Sequence, residues 1–217
     1  MSAGSLSKLQ ADFLRAWFTR SSEFFLTGGG ALVGYLGAPR TTDDLDLFTD
    51  LPEAFEQVDR LVGEVCREVG ATARGLRSTP EFRRYRIARA DESSVLDLVL
   101  DRVPQLSPDK DLRDGVRLDS PTELLVNKLC ALVSRSEPRD FVDVWFLCQQ
   151  GLDREQALRD CARKDSGVGP DTLLWILRDL SWDQFTVPGV SQEVVDATAD
   201  FFRAWAEELA LGLYPRS

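Results

Sequence analysis

Between Phe24 and Phe48 the chain reads FFLTGGGALVGYLGAPRTTDDLDLF, and no other stretch restricts its fold so tightly. The pattern predicts a short apolar strand, Phe24–Thr27, then a glycine turn opening a short helix over Gly30–Leu36, and a second strand over Leu45–Phe48. On a strand, positions i and i+2 share a face, so Asp44 and Asp46 project together while Leu45 and Leu47 point into a core. Two carboxylates side by side repel unless positive charge lies between them, and Mg2+ held by carboxylates beside substrate phosphates is the usual remedy. The glycine turn offers backbone N–H groups at a helix start, where an anionic phosphate is well placed. Metal and phosphate together point to nucleotide chemistry.

Better-known glycine motifs do not fit. A Walker-type phosphate loop needs G-K-[ST] after its spacer, and no lysine follows Gly34. The dinucleotide fingerprint would need glycine where Val33 stands. The chain also contains no histidine. That removes Ser-His-Asp and Cys-His nucleophilic schemes and most zinc chemistry, leaving carboxylates, lysine, arginine or a metal to do the work. Cys66, Cys130, Cys148 and Cys161 form no C-x-x-C pair and sit among apolar helical neighbours, as reduced, buried thiols do.

Composition narrows the setting. No apolar run approaches the roughly 20 residues needed to span a bilayer. Met1–Leu9 is polar and unlike a signal peptide. A soluble cytoplasmic protein with no membrane partner is the expectation. With 26 basic against 36 acidic residues, the net charge of −10 makes the chain a poor general binder of nucleic acid. The positive charge is uneven, however. Arg74, Arg77, Arg83, Arg84, Arg86 and Arg89 crowd one segment, either as a solvated strand edge that discourages pairing or as a local surface for RNA or triphosphate.

Periodicity predicts an amphipathic helix over Leu6–Thr19 and another over Glu53–Val69, ended by Gly70. Strands follow at Thr72–Leu76, Arg84–Ala88 and Val95–Leu100. In the last of these, Leu96, Leu98 and Leu100 face one way and Asp97, Val99 and Asp101 the other. From Ser120 the character becomes helical. Ser120-Pro121-Thr122-Glu123 combines a serine N-cap, a proline at the first helical position and a capping-box glutamate. This helix runs to about Ser134. A second begins near Pro138, and further helices cover Arg154–Lys164, Asp171–Leu180 and Gln192–Leu211. Pro104–Asp119 reads as a loop, dividing a mixed α/β core (residues 1–119) from a helical region (residues 120–217).

A third carboxylate, Asp97, on a separate strand and opposite its apolar neighbours, completes the cluster that two-metal nucleotidyl transfer requires. Asp101 shares its face and is the weaker candidate. Lys128 lies among leucines with Arg135 seven residues on, nearly on one helix face. It either snorkels its amine to water or aims a cation at a triphosphate. Arg139 and Asp143, at i and i+4, have the spacing of a surface ion pair.

The order of these elements resembles a family. GG-x-A-L at Gly28–Leu32, R-x-T-x-D-L-D-L-F at Arg40–Phe48, L-D-L at Leu96–Leu98, and K-x-x-A-L-x-x-R-x-x-x-R-D-F-x-D from Lys128 to Asp143 are similar to the motifs of the AbiEii/AbiGii nucleotidyltransferase toxins. The resemblance spans residues 24 to 147 and implies an α/β (α+β) fold: a polymerase-β-like core with a mixed sheet, followed by a helical C-terminal half. It implies Asp44, Asp46 and Asp97 as ligands of Mg2+ (or Mn2+) and as catalytic residues, with Lys128 as a nucleotide or phosphate contact. Gly28, Gly29, Gly30, Arg40, Thr42, Arg139 and Asp140 would bind the NTP substrate. Gly30 stands where relatives often carry Thr or Ser, so the phosphate would be held there by backbone N–H groups alone. Some members add nucleotides to the 3′ end of tRNA, and the toxins are paired with an antitoxin. A small-molecule acceptor, as in antibiotic-modifying nucleotidyltransferases, and a non-catalytic nucleotide-binding module remain open on the residues alone.

Overall fold

The computed structural model describes residues 4–214, so the first three residues of the polar Met1–Leu9 segment lie outside it. The chain divides into two compact units, Met1–Val103 with Ser107–Ser120, and Pro104–Leu106 with Pro121–Ser217.

In the first unit, helix α1 (Lys8–Phe18) leads into strand β1 (Phe25–Thr27). Helix α2 (Gly28–Ala31) follows and continues as a π-helical turn, Leu32–Leu36. Next come β2 (Asp44–Thr49), α3 (Pro52–Phe55), α4 (Val58–Glu68), β3 (Thr72–Thr79), β4 (Phe82–Arg89), β5 (Glu92–Leu100), β6 (Asp111–Arg113) and β7 (Val116–Leu118). The strands form one seven-stranded sheet in the order β3-β4-β5-β2-β1-β7-β6. The β2–β5 and β1–β7 pairs are parallel and the other pairs antiparallel.

Two expectations are corrected here. The helix expected over Glu53–Val69 is broken into α3 and α4, because Glu56 closes the first turn and Gln57 starts the second. The segment expected as a loop carries the β6–β7 hairpin. Its two turn residues, Asp114 (φ 51) and Gly115 (φ 79), both take positive φ, as a two-residue hairpin turn demands. The hairpin base is tied by a buried ion pair, Lys110 Nζ to Asp119 Oδ1 at 2.7 Å.

The sheet's apolar face carries Leu26, Leu45, Leu47, Leu96 and Leu98, all fully buried. Helix α1 supplies Leu9, Phe13, Leu14 and Trp17, each at 0% exposure. Burying a side chain of this size contributes ~1.5–3 kcal/mol. The Ser7–Gln10 capping box fixes the start of α1. Buried Gln10 then donates from Nε2 to Thr42 O and to Ser94 Oγ, both at 3.1 Å, while Ser94 Oγ donates to Asp43 O at 2.6 Å. One buried amide thus pins the backbone just before Asp44. Gln10→Ala strips two buried acceptors of their donor, and should lower unfolding free energy in urea by ~1–3 kcal/mol. An unchanged denaturation midpoint would show that the pin is dispensable.

The second unit is helical: α5 (Pro121–Arg135), α6 (Pro138–Gln149), α7 (Arg154–Cys161), α8 (Pro170–Asp179), a 3-10 turn at Trp182–Gln184, and α9 (Gln192–Leu213). Its core is aromatic. Phe141 meets Trp182, Phe185 and Phe202 edge to face, with centroids 5.7, 5.8 and 5.0 Å away. Edge-to-face pairs at this range add to plain area burial. All four cysteines are free thiols. Burial pushes Cys66 and Cys148 up to about 11, so both stay protonated. Among the described residues no helix is long and apolar enough to cross a membrane.

Candidate active site

The parallel register of β2 against β5 sets Asp46 beside Asp97 and Asp44 beside Val95. On the other side of β2, Thr27 is the partner of Asp46, and across β5, Arg84 of β4 is the partner of Asp97. Thr27, Asp46, Asp97 and Arg84 therefore form a single rung across four strands, with neighbours about 4.8 Å apart. Asp44 shares the face, one step along β2. Leu45, Leu47, Leu96 and Leu98 are buried on the opposite face, which is what forces the carboxylates outward.

Arg84 clasps Asp97 in a bidentate pair, Nε to Oδ1 at 2.7 Å and Nη2 to Oδ2 at 2.6 Å. The Asp97 hydrogen bond, reinforced by the charges of Asp97, Asp44 and Asp46, raises the Arg84 pKa above its ordinary value. The arginine is 46% exposed, so the pair counts for geometry more than for stability. Nothing in the sequence distinguishes Arg84 within its crowd of arginines. Only the register reveals it.

The glycine turn sits against this rung. Gly28 has φ +58, and a Cβ there would collide with the Asp46 carboxylate. A Cβ on Gly29 would lie 2.6 Å from Thr42 Oγ1 and 3.2 Å from Arg40 Nη2. Both Arg40 and Thr42 are buried, and Arg40 Nη1 donates to Thr41 O at 2.9 Å. Gly30 differs. Its Cβ would point at Leu26 Cδ1, 3.0 Å, and Leu45 Cδ2, 3.3 Å. A hydroxyl at position 30 would enter the apolar layer, so the side of the turn facing Arg40 and Thr42 belongs to Gly29. Asp101 lies just beyond β5, where its Oδ1 accepts from Val103 N at 3.0 Å.

The donor set suits Mg2+ or Mn2+: three carboxylates on one face, hard oxygen ligands only, with no imidazole or thiol among them. Among the described residues no three acidic or thiol groups are already drawn onto one point.

In the second unit, Lys128 is buried and does not snorkel. Its Nζ lies 2.7 Å from Asp140 Oδ1 and 2.8 Å from Asp143 Oδ2. Arg135, on the same helix face as expected, also reaches Asp140, Nε to Oδ2 at 2.8 Å and Nη2 to Oδ1 at 3.0 Å. Burial works to raise the Asp140 pKa, but Arg135 and Lys128 outweigh it and hold the carboxyl below its ordinary 3.8. The spacing of Arg139 and Asp143 suggests a surface pair, but Asp143 is fully buried against Lys128, and Arg139 reaches Glu137 at 2.8 Å.

A mixed sheet with a glycine turn beside a carboxylate rung, joined to a helical unit, is the layout of a nucleotidyltransferase. The family model described as nucleotidyl transferase AbiEii toxin, type IV TA system, matches residues 12–211, and the chain belongs to that family. The chain is accordingly a toxin-type nucleotidyltransferase. Solved structures share the fold. MenT4, a nucleotidyltransferase toxin from Mycobacterium tuberculosis, superposes with a TM-score of 0.61 at 16% identity, covering 92% of this chain and 82% of its own. JHP933 from Helicobacter pylori superposes with a TM-score of 0.58 at 21% identity, covering 97% of each chain. Comparison with curated proteins returned no match.

Proposed function

We propose that the enzyme transfers a nucleoside monophosphate from an NTP to the 3′-hydroxyl of tRNA, as the toxin of a cytoplasmic toxin–antitoxin pair. The observation that carries the reading is the rung of Asp46 and Asp97, flanked by Asp44 and by the Gly28–Gly29 turn. Asp44, Asp46 and Asp97 would hold Mg2+ (or Mn2+), which when bound polarises the phosphates and eases deprotonation of the attacking hydroxyl. The backbone N–H groups of Gly28, Gly29 and Gly30, the Arg40 guanidinium and the Thr42 hydroxyl bind the triphosphate. The acceptor oxygen forms a bond to the α-phosphorus while the bond from that phosphorus to the β-phosphate bridging oxygen breaks, releasing pyrophosphate. The hydroxyl proton passes to the Asp97 carboxylate, for which Arg84 must yield one of its two hydrogen bonds. Lys128 is assigned to charge stabilisation of the nucleotide. Arg139 is assigned to nucleotide contact, and Asp140, fully buried, supports Lys128 indirectly.

The test is transfer of α-labelled CTP, GTP, ATP and UTP, each with Mg2+, onto total tRNA. Label on tRNA from one nucleotide, removed by chelation, is the expected result and names both substrates. NTP binding with no label on tRNA would refute the acceptor assignment and shift weight to a small molecule.

A further inference from the structure

The six clustered arginines do not act as one group. Arg83 and Arg89 project to the helix-covered face, where Arg83 lies 5.2 Å over the Phe55 ring and Arg89 pairs with Asp12 at 2.9 Å and Glu92 at 3.2 Å. The other four, Arg74, Arg77, Arg84 and Arg86, stand on the carboxylate face. Arg86 and Arg84 alternate along β4 as a regular strand requires. Arg74 and Arg77 are three residues apart, and on a regular strand they would point to opposite faces. A register shift between Gly75 and Arg77 inserts one extra residue and brings them to the same face. The result is two directly opposed pairs, Arg74 with Arg86 and Arg77 with Arg84, the second continuing the Asp97–Asp46 rung.

Like charges directly opposite on a sheet are destabilising. All four arginines are exposed, and only Arg84 has a carboxylate partner among the described residues. Edge protection accounts for arginines on β3, the outermost strand, but not for Arg86 on the interior strand β4. The Phe82 ring lies on the same face between two of them, 5.6 Å from Arg77 and 5.4 Å from Arg84. Guanidiniums interleaved with an aromatic ring make a surface for single-stranded nucleic acid, with cations for the phosphates and a ring for a base. A chain of net charge −10 that gathers four arginines beside its carboxylates has placed its attraction for polyanions locally.

We propose that the β3–β4 face formed by Arg74, Arg77, Arg84, Arg86 and Phe82 docks the single-stranded end of an RNA acceptor and leads it toward the Asp46–Asp97 rung. This rests on the nucleotidyl-transfer reading above.

The test compares the full chain with the Arg74→Gln/Arg77→Gln/Arg86→Gln variant, leaving Arg84 and Asp97 intact. Affinity for a fluorescein-labelled, unstructured RNA oligonucleotide is read by anisotropy across a salt series, with Mg2+–NTP binding measured in parallel by calorimetry. RNA affinity should fall at least ~10-fold and the salt slope of log K should shrink by about 2, at ~0.7 for each phosphate no longer neutralised. Phe82→Leu should weaken RNA binding and leave binding of polyglutamate, used as a probe acidic peptide, unchanged. An unaltered affinity and slope in the triple variant would overturn the proposal, as would polyglutamate competing as well as RNA. NTP binding should be retained in both proteins. Its absence from the unmodified chain would sink the transfer reading instead, while arginine-dependent RNA binding would still support the surface.

Discussion

Asp46→Asn should reduce nucleotidyl transfer by ~10³-fold or more while leaving the protein folded. Asp46 occupies the centre of the rung, with Asp97 across one strand interface and Thr27 across the other, and with Gly28 held against its carboxylate. Asparagine keeps the shape, so neither the strand register nor the close approach of Gly28 is disturbed. What disappears is the charge. Metal-borne charge stabilisation at a phosphoryl centre is worth several kcal/mol, and each 1.4 kcal/mol is tenfold in rate. The stability balance runs the other way. Like charges about 5 Å apart near a protein surface repel by about 3 kcal/mol before any counter-ion is considered. Arg84 offsets part of that through Asp97, and the substitution removes more of it. The melting temperature should therefore stay within ~2–4 °C of the parent, or rise, since 1 kcal/mol moves a chain of this size by that much. Transfer assays and thermal melts on the same preparation decide the matter. Retained activity in a folded variant would mean that the rung is not the site of chemistry, and loss of fold would mean that its carboxylate is structural.

Much of this arrangement can be read from residue spacing. The alternation of leucine and aspartate in Asp44–Phe48 and again in Leu96–Leu100 places carboxylates on one face and the core on the other without any tertiary information. What alternation does not supply is the order of strands. That Asp46 lies beside Asp97 depends on a parallel β2–β5 pair whose strands are separated by two helices and a hairpin, and that Arg84 lies beside Asp97 depends on the register of the antiparallel β4–β5 pair. The β6–β7 hairpin escapes a periodicity argument because three-residue strands are too short to show a period. Its Asp114-Gly115 dipeptide is the available signal, since a turn with two positive-φ residues favours that pair. The bulge that turns Arg77 onto the carboxylate face leaves a weaker trace, a lone glycine inside a strand. In the helical unit, Ser120-Pro121 marks the start of α5. Glu123, placed by its spacing at the capping-box position, accepts from Leu106 N at 2.9 Å and is a buried partner of Lys164, contacts that no local pattern announces. The Lys128 network is illegible for a simpler reason: its partners lie on the next helix, and whether a lysine snorkels or is buried depends on how the two helices pack.

That network carries the second large effect. Lys128→Met should destabilise the helical unit by ~3–5 kcal/mol, because it leaves two fully buried carboxylates without their shared cation. Against a total stability of ~5–15 kcal/mol this is a large fraction. Arg135 is forked onto Asp140, at 2.8 and 3.0 Å, so that carboxylate keeps a close cation in the variant while Asp143 forfeits the ammonium 2.8 Å away. Restoring neutrality should therefore recover stability: Lys128→Met combined with Asp143→Asn should regain much of the loss without regaining transfer. Acid should act on the same groups. Asp140 has its folded pKa depressed, so its contribution is fully present above the ordinary carboxylate value of 3.8 and fades as pH falls through the lower, folded value. Urea denaturation curves of the parent and of Lys128→Met should draw together as pH falls below 3.8 and through the lower, folded Asp140 value, because the attraction of Lys128 for that carboxylate disappears with its charge. Parallel curves at all pH values would show that the destabilisation comes from packing of the lysine stem. A variant as stable as the parent but inactive would place Lys128 in the chemistry alone. The expected pattern, loss of both with stability alone rescued by Asp143→Asn, assigns it to both.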